Sequence, residues 1–268
     1  MKTQTVGLTF YNGQAVVAAF DQILKNGNGI ISELRQDKSI GKLDMHCQAA
    51  CLSDGALDAP LISTKGGAFE GNILADMQGE VFRGGGDYAR NECIIGSDQR
   101  ALLCRYASGR LNLDVQDQLT LECSGAYARY HAAMMQTLII GKACKKHRKM
   151  HEVAREALEA SEAAIMPGEP MGDVFAAHAK EFDKAGLSHA RLNACGYAMG
   201  AIHNPIWVNF PMFYENNPKL MRERQVFFLH TILMDNDTYL AMCLGHSVEI
   251  SAQGAKRLSR HSPELFEL

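Results

Sequence analysis

The feature that most constrains this chain is a pattern that occurs twice. An amphipathic helical stretch breaks at glycine, a second helical stretch stops at glycine, and short strand-like runs follow. In the first cycle the breaks are Lys65-Gly66-Gly67 and Gly84-Gly85-Gly86; in the second they are Pro167-Gly168 and Gly186. Gly66 and Gly168 are 102 residues apart, as are Gly84 and Gly186 (168 less 66, 186 less 84). One element order repeated at one spacing marks an internal duplication. The expected fold is α+β, with two pseudo-twofold ααβ halves and a pocket between them, where pockets tend to form.

In the first cycle the helical period starts at Asp44, with Cys47, Ala50, Cys51 and Leu57 on one stripe. It resumes from Glu70 with Ile73, Leu74, Met77, Val81 and Phe82. The second cycle has helices over His147–Ile165 and Met171–Ala185. Strand-like runs are Cys93–Ile95, Ala101–Cys104, Leu111–Leu113, Leu119–Glu122 and Met134–Ile140, then Ile206–Phe210, Gln225–Met234, Tyr239–Leu244 and Ser247–Ser251. Ahead of them, residues 4–20 read as a strand pair or as a strand followed by a helix. Asn26-Gly27-Asn28-Gly29 reads as a turn cluster, and Ile30-Ile31 as the start of a short strand. Residues 1–43 are expected to be an appendage to a domain formed by 44–268.

A chain of 268 residues can bury a large core. Its net charge of −3 comes from acids and bases mixed along the chain, with no basic stripe, so no nucleic-acid partner is expected. The opening MKTQTVGLTFYNGQ lacks a signal-peptide pattern, and no apolar run reaches the length of a membrane span. The expected location is the cytoplasm, with no membrane association. The eight cysteines include no CxxC pair and read as free thiols rather than a disulfide framework. Cys47 and Cys51 share a helix face, but no second half of a zinc site accompanies them.

Two Gly-punctuated stretches rich in Tyr, His and Glu stand out: Leu121–Thr137 (LECSGAYARYHAAMMQT) and Asn193–Trp207 (NACGYAMGAIHNPIW). With Gly96-Ser97, Leu111–Leu113, Gln116–Leu119, Val226–Phe228 and Ser247–Leu258, they resemble the pita-bread superfamily of creatinase, prolidase and methionine aminopeptidase over about Asp44 to Leu268. The run Arg129-Tyr130-His131-Ala132-Ala133, the Gly196-Tyr197 pair and Glu122 in place of an Asp resemble the ectoine-hydrolase and creatinase-type C–N hydrolases. On this resemblance residues 1–43 are a short remnant of a creatinase-type N-terminal domain, and the protein is a homodimer.

The resemblance also implies where the family's five metal ligands fall. They land on Glu122, Ala133, Tyr197, His230 and a point near Gly245, which is not the carboxylate cage that two cations need. No metal or other cofactor is therefore expected. The His that serves creatinase as acid and base falls on Arg105. The expected catalytic residues are Glu122, His203, His230 and Tyr197; Arg105, Tyr130, His131 and Trp207 are expected to bind substrate. A carboxylate beside a histidine makes a general base, a phenol supports a developing oxyanion, and an arginine fork clamps a carboxylate. Each has a plainer reading: Glu122 facing solvent, His230 as a core histidine, His203 as a turn residue, Tyr197 as packing, His131 turned from the cleft, and Arg105 as a surface ion-pair partner.

The expected function is metal-independent attack on a small carboxylate-bearing C–N metabolite, by hydrolysis of an amide- or amidine-type bond. Two alternatives stand beside it. One is an inactive binding or partner module; filling of the pocket by Tyr197, Trp207 or Phe228 would mark it. The other is a lyase, cyclase or isomerase using the same residues.

Overall fold

The structure, a computed structural model, describes residues 28–103, 109–202 and 206–268. The expectations for residues 4–20, and those resting on Cys104, Arg105 and His203, lie outside the described residues. The helices are α1 (Asn28–Gln36), α2 (Ile40–Ser63), α3 (Glu70–Arg83), α4 (Lys145–Ala164) and α5 (Met171–Lys184). The strands are β1 (Ile94–Ser97), β2 (Asp117–Tyr127), β3 (Tyr130–Ile140), β4 (Ala194–Ala198), β5 (Asn209–Tyr214), β6 (Val226–Asp235), β7 (Leu240–Ser251), β8 (Gly254–Arg257) and β9 (Phe266–Glu267). They form one sheet in the order β1-β2-β3-β7-β6-β4-β5, with β8 beside β7 and β9 beside β3. Every pairing is antiparallel except β3 with β9.

The four long helices cover one face of the sheet, because their apolar stripes and that face are the two surfaces that must leave water. Leu57, Ile73 and Met77 of α2 and α3 pack on Leu121, Met134 and Leu138. Met150, Val153, Leu158 and Phe182 of α4 and α5 pack on Phe227, Leu229, Leu233 and Leu244.

The duplication is present with its register moved by one. The left-handed residues are Gly67, Gly85, Gly168 and Gly186, with φ of 85°, 79°, 92° and 73°. Each pair is 101 residues apart (168 less 67, 186 less 85). A run of adjacent glycines does not say which one turns left-handed; the backbone decides that. The two halves also start their second helices alike. Gly67 N–H donates to Leu113 O at 2.8 Å and Glu70 N–H to Leu111 O at 2.9 Å; Gly168 N–H donates to Met221 O at 2.9 Å and Met171 N–H to Lys219 O at 2.8 Å.

Several local expectations are corrected. Asn28–Gly29 and Ile30-Ile31 belong to helix α1, not to a turn and a strand. Tertiary contacts override the weak Asn and Gly propensities: Gln225 Nε2 donates to Gln36 Oε1 at 2.7 Å, and Glu33 pairs with Lys219 and Arg222. Helix α2 starts at Ile40, where Ser39 Oγ accepts from Lys42 N–H at 3.4 Å. Asp98–Leu102 is a 3-10 turn, Leu111–Leu113 holds only an isolated bridge at Asn112, and the fifth strand begins at Asn209. Leu240–Leu244 and Ser247–Ser251 lie along one strand, β7, and Tyr239 is left-handed in the turn before it. The β2–β3 hairpin is longer than its sequence signal because Ala128 and Arg129 turn it with φ of 48° and 71°. Neither residue advertises that conformation; Arg129 N–H is held by Asp87 Oδ2 at 2.9 Å.

Glu70 is fully buried at the first turn of α3, where the helix dipole favours an anion. Its carboxylate accepts from Ser97 N–H at 2.9 Å, Ser97 Oγ at 2.7 Å and Leu111 N–H at 3.0 Å, tying helix, β1 and the chain before β2 together. Glu70→Gln puts an amide donor against these donors and is expected to cost about 2 kcal/mol. Urea unfolding of the pair of proteins measures it; unchanged stability would show the three bonds to be dispensable.

Candidate functional site

The second face of the sheet carries the expected site. Register places Glu122 opposite Met135, Met135 opposite Gly245, and Gly245 opposite His230, making one continuous row across β2, β3, β7 and β6. The next row runs Ser124, Ala133, Ser247, Phe228 and Tyr197. Ser247 Oγ closes it, accepting from Ala133 N–H at 2.9 Å and donating to Ala133 O at 3.1 Å. Strand alternation keeps every member of both rows on this face. The five positions singled out by resemblance, far apart in sequence, thus share two adjacent rows.

A hydrogen-bonded chain links the predicted residues. Trp207 Nε1–H donates to the Tyr197 hydroxyl at 2.8 Å, and that hydroxyl donates to Glu122 Oε1 at 3.4 Å. The His230 ring lies 5.9 Å from the Tyr197 ring and 5.5 Å from the Phe228 ring, centroid to centroid. Its Nδ1 is buried without a hydrogen-bond partner, and burial pushes its pKa down to about 4. Glu122, Tyr197, Trp207 and His230 are all buried.

The substrate-binding expectations divide. His131 is on the site face by alternation with Ala133 and Met135, so the reading that turns it away is corrected. Its Nε2 accepts from Arg90 N–H at 3.2 Å, and burial lowers its pKa to about 4. Tyr130 is on the opposite face, edge-on to His46 of α2 with ring centroids 5.2 Å apart. Trp207 joins the site through Tyr197. Arg105 and His203 lie outside the described residues. Burial holds the thiols of Cys123 and Cys195 protonated, which sets both apart from nucleophilic use.

Phe228, expected from the sequence only as a possible filler of the pocket, has a definite place beside the site. It is fully buried, and a Cβ at Gly245 would lie 2.8 Å from its Cζ and 2.8 Å from Leu229 O. The phenyl ring therefore fills the space into which a side chain at position 245 would project. With Ala133, Met135, Tyr197, Ile202 and Trp207 it forms one buried apolar cluster. The signal available beforehand was the aromatic run Phe227-Phe228, read as strand, with Phe228 also expected as a possible filler of the pocket. A groove of about 760 Å³ lies elsewhere, between α3 and residues 88–93, lined by Leu74, Gln78, Tyr88 and Cys93 among others.

An α+β sheet with four long helices on one face and a two-row polar and aromatic site on the other defines a pita-bread domain. The chain belongs to metallopeptidase family M24, whose model matches residues 9–253. The solved prolidase of Pyrococcus furiosus superposes with a TM-score of 0.88 at 18% identity, over 97% of this chain and 77% of that one. An uncharacterized hydrolase/peptidase of Sinorhizobium fredii, y4tL, is 25% identical over 173 residues, which is 63% of this chain and 44% of its own. The ectoine hydrolase of Halomonas elongata is 29% identical over 86 residues, 32% of this chain and 21% of its own. The chain thus spans less than two thirds of either curated relative. Among the described residues no helix is long and apolar enough to cross a membrane.

The family's description implies a metal centre, and the described residues of the two rows do not fit one. Ala133 and Gly245 offer no donor atom, the space at Gly245 is taken by Phe228, and the Tyr197 hydroxyl is engaged with Trp207 and Glu122. Among the described residues, the one cluster of three ligand-type side chains is His189, Asp235 and Asp237 at the β6–β7 turn. There the Lys146 ammonium already pairs with Asp235 at 2.6 Å.

Proposed function

We propose that this protein is a metal-independent M24-fold hydrolase that cleaves a C–N bond in a small carboxylate-bearing molecule. The observation that carries the reading is the chain from Trp207 through Tyr197 to Glu122, with the neutral His230 imidazole beside it. His230 takes a proton from water as the water oxygen bonds to the amide or amidine carbon. Tyr197, held between Trp207 and Glu122, supports the charge that develops there as its hydroxyl proton turns from Glu122 to the substrate atom. As the C–N bond breaks, the proton on His230 passes to the departing nitrogen, and the imidazole is neutral again. The name of the ectoine hydrolase supports a non-peptide C–N substrate.

A panel of cyclic amidine and N-acyl amino acids, ectoine among them, tests this by NMR with protein freed of metal by chelation. Turnover is expected to survive chelation, and His230→Gln is expected to lower kcat by about 10²- to 10⁴-fold. Loss of turnover on chelation, with recovery on adding a divalent metal, would overturn the reading.

The burial of Phe228, Tyr197 and Trp207 in one cluster favours a second reading, a binding module without turnover. Saturable binding of a panel member, with no turnover under any metal condition, would select it.

A further inference from the structure

A cavity of about 330 Å³ lies between α5, the turn at residues 215–218 and Arg191, and none of its lining residues belongs to the two rows of the site. Its volume is that of a small-molecule pocket. The walls are fixed to each other by Gly172 N–H, which donates to Asn217 O at 2.9 Å. Asn217 is buried and braces the turn, its Nδ2 donating to Met212 O at 2.7 Å and its Oδ1 accepting from Lys219 N–H at 3.1 Å. A Cβ at Gly172 would lie 2.9 Å from Asn217 N, so glycine lets the turn stand this close to the helix. Further along α5 the lining residues include Ala176 and Ala179, whose small methyls leave the space between helix and turn open.

The charges around the cavity do not balance. Arg191 is committed: its Nε donates to Asp183 Oδ1 at 3.3 Å, its Nη1 donates to Leu192 O at 3.4 Å, and its guanidinium carbon lies 5.4 Å from the centre of the Phe175 ring. That leaves two lining carboxylates, Asp173 on the helix wall and Glu215 on the turn wall, both exposed. Among the described residues neither carboxylate has an ion-pair or hydrogen-bond partner. A metal ion does not answer this charge, because among the described residues three converging metal-ligand side chains occur only at the β6–β7 turn. Two unpaired carboxylates over an alanine-lined space suit a cation that brings its own apolar body.

We infer that this cavity binds a small organic ammonium ion, with its charge at Asp173 and Glu215 and its hydrocarbon body on Ala176 and Ala179. The ammonium gains two ion pairs, and the body takes apolar surface out of water. The cavity shares no residue with the cleft, so the inference does not rest on the hydrolase reading.

Protein carrying ¹³C-methyl alanine is titrated with phenethylammonium, and the methyl signals of Ala176 and Ala179 are followed by NMR. Both are expected to shift saturably. Neutral phenethyl alcohol is expected to bind at least about threefold more weakly, and anionic phenylacetate not at all. Asp173→Asn combined with Glu215→Gln is expected to reduce the affinity about three- to thirtyfold, the range for two exposed ion pairs. Both substitutions are on exposed side chains, so the fold is expected to be unchanged, which the urea midpoint checks. Ala176→Trp fills the space from an exposed helix position and is expected to abolish the Ala179 shift. No saturable shift, equal affinity for the alcohol, or an unchanged affinity in the double variant would overturn the inference.

Discussion

Taken from pH 7.5 to pH 5, the protein is expected to lose most of its stability, with the acid transition centred between about pH 6 and pH 4. Four imidazoles account for this. Burial lowers the pKa of His46 and His178 to about 3, and of His131 and His230 to about 4. None of the four forms an ion pair with a carboxylate among the described residues, and His178 is wedged against Phe182 with ring centroids 4.7 Å apart. The folded-state values lie below the unfolded value near 6.5, so the unfolded chain binds more protons as pH falls below 6.5. Stability is therefore fully present above that value and is lost as pH falls toward 4. Each histidine contributes up to about 1.4 kcal/mol per pH unit, and the four together up to about 5.5, against a total stability of about 5–15 kcal/mol. Guanidinium midpoints at pH 7.5, 6.5 and 5.5 measure the slope. His178→Leu keeps the apolar volume and removes one titrating group, so its slope is expected to be about a quarter smaller. A midpoint that does not move between pH 7.5 and 5.5 would show that these histidines are not held neutral by the fold.

Gly125→Ala is expected to destabilise the protein by about 3 kcal/mol, the upper end of overpacking costs. Helix α2 crosses β2 directly on this residue. A Cβ there would lie 2.1 Å from Ala49 O, 2.8 Å from Ser53 N and 2.8 Å from Leu52 Cβ, and none of these is the far end of a flexible side chain. The same crossing is stitched by Ser53 Oγ, which accepts from Gly125 N–H at 2.7 Å and donates to Ala132 O. Accommodation requires lifting the helix and breaking that bridge. Gly55→Ala, on the same helix but with no atom within 4 Å of the new methyl, is the control. It is expected to stabilise by about 0.5–1 kcal/mol through helix propensity. If the two variants unfold at the same urea concentration, the helix does not rest on Gly125 as described.

The helices were legible because their apolar stripes recur at the helical period and glycine stops them; α3, α4 and α5 lie within two residues of their expected bounds. The strands were less so. Buried on both faces, β2 and β3 lack alternation, and the Ala128-Arg129 turn between them has no sequence mark. Within the site, Glu122, Tyr197 and His230 were identifiable as residue types suited to acid–base chemistry and Trp207 as a substrate-binding candidate; the sheet brings the first three to one face and Trp207 joins them through Tyr197. Phe228 was identifiable only as a possible filler of the pocket, not as the ring over Gly245. An aromatic in an apolar run looks the same whether or not it packs on a glycine of the neighbouring strand.

The sequence by itself determined the fold class and the duplicated plan, since the period of apolar residues and the glycine stops act locally along the chain. It also determined that Ala133 and Gly245 bring no side-chain donor to the rows. Only the tertiary structure decided which glycine of each first-cycle run turns left-handed and that Phe228 occupies the space at Gly245. Those outcomes depend on strand register and helix packing between residues far apart in the chain, which no local pattern encodes.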